Sequence, residues 1–218
     1  MSGLETVWSY RDAFLAGLGN TAALVGLALG LSLPLAAVGA VVLVEAPAPV
    51  RRLGRELVDL FRCVPFLLLA YVIYYGLPEV GLRLGAWWAG LVALVLYNGA
   101  YFTEILRAAT LAVPREAVEA GRAYGFSRAR LYGRIVLPLV ALDAGPVIGN
   151  QVIVMIKDTA LLMIITVQEL SFVANFVNAS AFAPFAPFAT ALLLYWVLCL
   201  AAEAGVGVIA RERRRRYG

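Results

Sequence analysis

Histidine is absent from the 218 residues, and lysine occurs once, as Lys157. The first absence removes the commonest metal ligand and the usual proton shuttle near neutral pH. The second excludes a phosphate-gripping loop of the form G-x-x-x-x-G-K-[ST], because Lys157 follows Ile156 inside an apolar run. Cysteine is scarce as well. Cys63 and Cys199 stand far apart in apolar surroundings and fit neither a disulfide framework nor a metal knuckle, so both read as small buried hydrophobes. Charge is short: 15% of residues are Asp, Glu, Lys or Arg, against about a quarter in a soluble domain. No hydrophilic block is long enough to form a second domain, so residues 1–218 are expected to be one unit. The start, "MSGLETVWSYRDAFLAG", lacks the basic leader of a signal peptide, and the first apolar segment is expected to be retained.

What the chain does have is apolar length. Hydrophobic residues make up 62% of it, with a mean hydropathy of +0.85. A helix needs roughly 20 apolar residues to cross the hydrocarbon core. Segments near 17–44, 58–78, 87–108, 138–165 and 185–209 meet that length. Backbone groups cannot go unpaired in lipid, so these segments are expected to be helices. The alternation of an outer-membrane barrel is missing. Arginines set the orientation. With the N-terminus outside and five crossings, the inner segments hold Arg51, Arg52, Arg55, Arg62, Arg107, Arg115, Arg122, Arg128, Arg130, Arg134 and the tail 211–218, while Arg11 and Arg83 alone fall outside. The first 16 residues and segment 167–184 then lie at the outer face as short interfacial helices.

Between the third and fourth spans the chain turns polar. Residues 112–137 carry Pro114 at a helix start, then Glu116 and Glu119 where a helix dipole favours acids. Gly125 suits a left-handed helix end, and Ser127 an N-cap for a second helix. The result is a helix–turn–helix projection. One reading is an amphipathic hairpin resting on anionic lipid head groups. The other is a docking knob for a cytoplasmic partner, with Ala120, Gly121 and Gly125 allowing close approach.

The residues here resemble a known family. Glu119-Ala120-Gly121, Gly125, Ile135, Leu137 and Pro138 follow the pattern E-A-A-x3-G-x9-I-x-L-P that marks the permease subunits of ABC importers, with Gly121 the one departure. Other stretches are similar to the polar amino acid importers: "FRCVPFLLLAYVIYYGLP" (61–78), "YNGAYFTEILRAAT" (97–110), "NQVIVMIKDTALL" (150–162) and the first span, "GLGNTAALVGLALGLSLPLAAVGA" (17–40). Cys63, Val64, Leu69 and Ala160 replace polar or small residues of that pattern.

The resemblance implies an all-α membrane protein of type I importer form, with about five transmembrane helices and a cytoplasmic coupling-helix loop between spans 3 and 4. Glu116, Glu119, Ala120, Gly121, Arg122, Gly125, Phe126 and Ser127 would meet a separate ATPase subunit. That subunit would hold ATP and Mg, and this chain would bind no cofactor or metal. A second permease copy or paralogue, an extracytoplasmic solute-binding protein and membrane lipid are the other implied partners, with no nucleic acid. The place is a bacterial-type inner membrane, with the N-terminus outside and the C-terminus cytoplasmic. The alternative is a self-contained secondary transporter or channel subunit, against which an odd number of spans counts.

Ionisable groups inside spans are functional candidates by default. Asp143, Asn150 and Lys157 are seven apart each time and share one helix face, with Asp158 beside the stripe. Cross-helix structural bonds are the competing role, and Lys157 with Asp158 can equally hold a helix end. Glu104 and Arg107 are placed to pair along one face, with Asn98 nearby. Gly90 and Gly99 suit close helix contact. Pro34, Pro65 and Pro146 are expected to kink their helices.

Overall fold

The computed structural model describes residues 3–217, apart from the side chains of Leu4 and of residues 208–217. Helix runs through almost all of them, and no strand occurs among the described residues. A short helix α1 (Gly3–Ser9) leads into α2 (Arg11–Glu45), which runs on unbroken through Pro34. Its buried residues fall every three or four positions: Phe14, Gly17, Thr21, Leu24, Ala28, Ser32, Ala36, Ala40 and Leu43. Small residues dominate the middle of that stripe. In a membrane, helices associate by close packing rather than by hydrophobic exclusion, and small side chains permit it. Gly39 shows how close: a Cβ there would lie 2.9 Å from Thr103 Oγ1.

The second expected span is not one straight helix. Helix α3 (Ala48–Cys63) ends at Val64 and Pro65, both extended, and α4 (Phe66–Tyr71) starts in a new direction. It continues as a π-helical turn (Val72–Gly76) and a 3₁₀ turn (Leu77–Val80), closing at left-handed Gly81. The two halves meet at 102°. Proline cannot continue the preceding helix and pushes the residue before it to extended backbone, which accounts for the elbow. Residues 58–63 of the expected span therefore belong to α3. Its sequence is amphipathic and none of its residues is buried. Cys63, at the elbow, is exposed, which corrects the expectation of a buried cysteine; Cys199 is half-buried.

Helix α5 (Ala86–Leu111) is the third span. The hairpin follows as α6 (Arg115–Ala123) and α7 (Arg128–Leu131). A π-helical turn (Tyr132–Val136) joins α7 to α8 (Leu137–Asp158), which passes through Pro146 and tightens into a 3₁₀ segment (Thr159–Ile165). Helix α9 (Leu170–Ala181), 12 residues long, is too short to cross and falls within segment 167–184. Helix α10 (Ala186–Tyr217) is the last span, long and apolar enough to cross over Ala186–Gly207. The expected basic tail, 211–218, lies outside the described side chains.

The main core joins α2, α4, α5 and the end of span 4 through Leu24, Phe66, Leu94, Phe102, Met155 and Leu162. Gly90 makes one of its tight points, since a Cβ there would sit 3.0 Å from Leu162 Cδ1. A second cluster, with Phe14, Leu170, Val173 and Ala191, holds α9 between α2 and α10. Only 6% of the apolar stretch of α10 is buried, so this helix forms the rim.

Candidate functional site: a hairpin knob and a polar elbow

The knob between spans 3 and 4 is built by local chemistry. Pro114 stands one residue ahead of α6, with Glu116 in the first turn. At the other end Gly125 has φ +71°. Gly125 N donates to Arg122 O at 2.9 Å and Phe126 N to Gly121 O at 3.0 Å, the two bonds of a Schellman cap. Ser127 then caps α7, its Oγ accepting from Arg130 N at 3.4 Å. Arg130 lies 5.9 Å over the Phe126 ring.

Of the residues expected to meet a partner, Glu116, Glu119, Ala120, Arg122, Gly125 and Ser127 are exposed and Phe126 is half-buried. Gly121 is different. It is buried against the hairpin itself, and a Cβ there would lie 2.6 Å from Leu131 Cδ1 and 2.7 Å from Ile135 Cδ1. Its smallness serves the folding of α6 onto α7. Beneath the knob, Val113, Val136 and Val140 form a small apolar base. A groove of about 320 Å³ runs between the knob and the ends of spans 1 and 3, with Glu45, Thr110, Glu119, Arg122 and Tyr132 on its walls.

The second site is the elbow of the broken span. Arg62, at the end of α3, stacks over the Tyr101 ring at 5.5 Å, and Tyr101 Oη donates to Arg62 O at 3.2 Å. Tyr101 and Tyr97 hydroxyls stand 3.5 Å apart, and Tyr97 packs on Phe66 at 5.3 Å. Asp158 lies within electrostatic reach of Tyr97. Two polar atoms here are buried without a hydrogen-bond partner among the described residues: Arg62 Nε and Asp158 Oδ2. Buried polar atoms are nearly always satisfied, so these two stand out.

The other candidates divide. Glu104 and Arg107 form the expected pair, bidentate at 2.8 and 2.5 Å and partly buried. Arg55 and Arg62 act on Glu104 from α3. Asn98 is fully buried: its Nδ2 donates to Leu94 O at 3.1 Å, and its Oδ1 accepts from Gln151 Nε2 at 2.9 Å. This bond ties α5 to α8. Asp143 is half-buried and partnered. Asn150 and Lys157 are exposed, in a stripe with Val147, Val154, Leu161 and Ile164. The structure thus keeps Asn150 and Lys157 on one face and turns Asp158 to the elbow. Sequence reasoning did not single out Arg62, Tyr97, Tyr101 or Gln151; the signal was the run Arg62-Cys63-Val64-Pro65, where a cation precedes a helix-breaking proline inside an apolar segment. No group of three or more His, Cys, Asp or Glu fit to hold a metal occurs among the described residues.

Apolar helices of membrane-crossing length, a broken span and a hairpin knob between spans 3 and 4 give the chain the form of an integral membrane protein. The chain belongs to the family described as binding-protein-dependent transport system inner membrane component, which matches residues 32–215. It is a membrane-spanning permease subunit of an ABC importer. Among its relatives is the probable glutamine ABC transporter permease protein GlnM of Bacillus subtilis (strain 168), 31% identical over 88% of each chain. The arginine ABC transporter permease protein ArtQ of Haemophilus influenzae is 32% identical over 68% of this chain and 71% of its own. A solved structure, described as a crystal structure of an amino acid ABC transporter with histidines, superposes with a TM-score of 0.88 at 26% identity, over 97% of this chain and 99% of that one.

Proposed function

We propose that this permease carries a polar amino acid or similar small solute inward, delivered by an extracytoplasmic solute-binding protein and driven by ATPase subunits that dock on the hairpin. The observation that carries the reading is the hairpin itself. Its outward residues, Glu116, Glu119, Ala120, Arg122 and Gly125, are exposed on a rigid, doubly capped knob whose base is packed between spans 3 and 4. A partner that moves the knob moves both spans. The lack of a lysine-bearing phosphate loop supports a partner that holds ATP and Mg. The glutamine and arginine permeases among the relatives support the amino acid as substrate class.

The path runs past the elbow. Glu104, Asp158, Lys157, Asn150 and Asp143 supply charge and polarity along it, and Asn98 with Gln151 holds α5 to α8. Arg62 and Asp158 are suited to the carboxylate and ammonium of a zwitterion. The exposed stripe of α8 faces a second permease, identical or paralogous, across the path. The arginine distribution supports a cytoplasmic hairpin and C-terminus and an N-terminus outside. The relatives are named as ABC permeases, and none of those cited favours a self-contained carrier.

The test is transport by the reconstituted complex in vesicles. Gly125→Pro removes the left-handed cap, and Glu119→Lys reverses a charge on the outer face. Both variants are expected to insert normally, yet hydrolyse ATP without matching import. Wild-type transport by both would remove the coupling role.

A further inference from the structure

Glu45 is the last residue of α2, where a carboxylate meets the unfavourable, negative end of the helix dipole. Its partners lie elsewhere. Glu45 Oε2 accepts from Arg128 Nη2 and Oε1 accepts from Tyr132 Oη, so both oxygens are held by the second half of the hairpin. Tyr132 opens the π-helical turn that joins the hairpin to span 4, and such turns inside helices frequently sit at functional positions. Around this bridge the hairpin and span 1 are not packed together. The groove of about 320 Å³ and a cleft of about 640 Å³, walled by Val41, Val42, Ala46 and Ala129, both open onto Glu45 and Tyr132. Arg128 is largely exposed. A polar bridge across open clefts can break and re-form, as an exposed ion pair is weak; a packed apolar seam could not do so without leaving voids.

We infer that Glu45 is a positioning residue of the transport cycle, which links hairpin movement to span 1. The hairpin is covalently joined to spans 3 and 4, and the Glu45 bridge extends its reach to a third span. The inference rests on the coupling reading of the hairpin, and the experiment separates the two.

The complex of permease, ATPase and binding protein is reconstituted, and ATP hydrolysed per solute imported is measured. In Glu45→Gln and Tyr132→Phe the ATPase subunits are expected to remain bound while that ratio rises severalfold. Glu45→Arg alone is expected to behave in the same way, and adding Arg128→Glu is expected to bring the ratio back towards wild type, which loss of packing would not do. A wild-type ratio in the single variants, with Glu119→Lys uncoupled, overturns the bridge and leaves the docking reading intact. A wild-type ratio in all of them overturns both. If Glu45→Gln fails to assemble, a Glu45→Cys, Arg128→Cys pair in a background free of Cys63 and Cys199 decides the matter. Copper-phenanthroline cross-linking of that pair is expected to change severalfold in rate between nucleotide-free and vanadate-trapped complexes; an unchanged rate overturns the proposal.

Discussion

Glu169 is a carboxylate with no exposed surface, beyond the end of span 4. It caps α9, accepting from Ser171 N at 2.8 Å and Phe172 N at 2.7 Å, and it also accepts from Tyr195 Oη, the titratable group that faces it. Burial pushes this carboxyl above its ordinary value, and the hydrogen bonds offset part of that rise. A raised carboxyl binds its proton more tightly folded than unfolded. Stability therefore falls as pH rises from the ordinary glutamate value through the raised one, and acidification across that window restores it. We predict that the melting temperature of the purified protein, relative to Glu169→Gln, climbs as pH is lowered towards the ordinary glutamate value. A difference that stays flat over that range would contradict the assignment. Nothing in the run Val167-Gln168-Glu169 announces a buried acid, because burial here comes from α9 closing onto α2 and α10.

At the scale of the element, the hairpin shows what short-range chemistry can specify. Gly125 at the left-handed cap and Ser127 at the N-cap were legible, since each role depends on two or three neighbouring residues. The role of Gly121 was not. Its neighbours Leu131 and Ile135 come from α7 and the π-helical turn after it, and the glycine is buried against them. Gly121→Ala meets only the ends of flexible side chains and gains about 1 kcal/mol of helix propensity. We predict that it changes stability by less than about 1 kcal/mol. Gly121→Val adds bulk that the α7 contact cannot absorb and is expected to destabilise by about 1–3 kcal/mol. Thermal unfolding in detergent separates the two, and equal melting temperatures would refute the inward packing. The elbow at Pro65 lies between these cases. A kink there was legible from proline, but its size, 102°, is set by how α4 seats on α5 and the end of span 4.

At the scale of the whole molecule, two apolar helices expose very different faces. Helix α10 offers Leu192, Leu193, Trp196 and Val197, an apolar rim suited to lipid. Helix α8 places Asn150 and Lys157 among exposed Val147 and Val154. A lysine so placed in a span is costly against lipid and belongs at protein or water. We predict that Lys157→Cys reacts with a water-soluble maleimide in membranes and Val197→Cys does not, in a background lacking Cys63 and Cys199; equal labelling would return the α8 face to lipid. The sequence by itself determined that this chain crosses a membrane as helices, where it breaks into a polar hairpin and how that hairpin is capped. Those outcomes follow from apolar length, the need to satisfy backbone groups in lipid, and local turn chemistry. Only the tertiary structure decided which polar groups meet: Arg62 with Tyr101, Asn98 with Gln151, Glu45 with Arg128 and Tyr132. Such pairs are separated by up to 87 residues, and helical periodicity assigns a residue to a face without saying which helix that face will find.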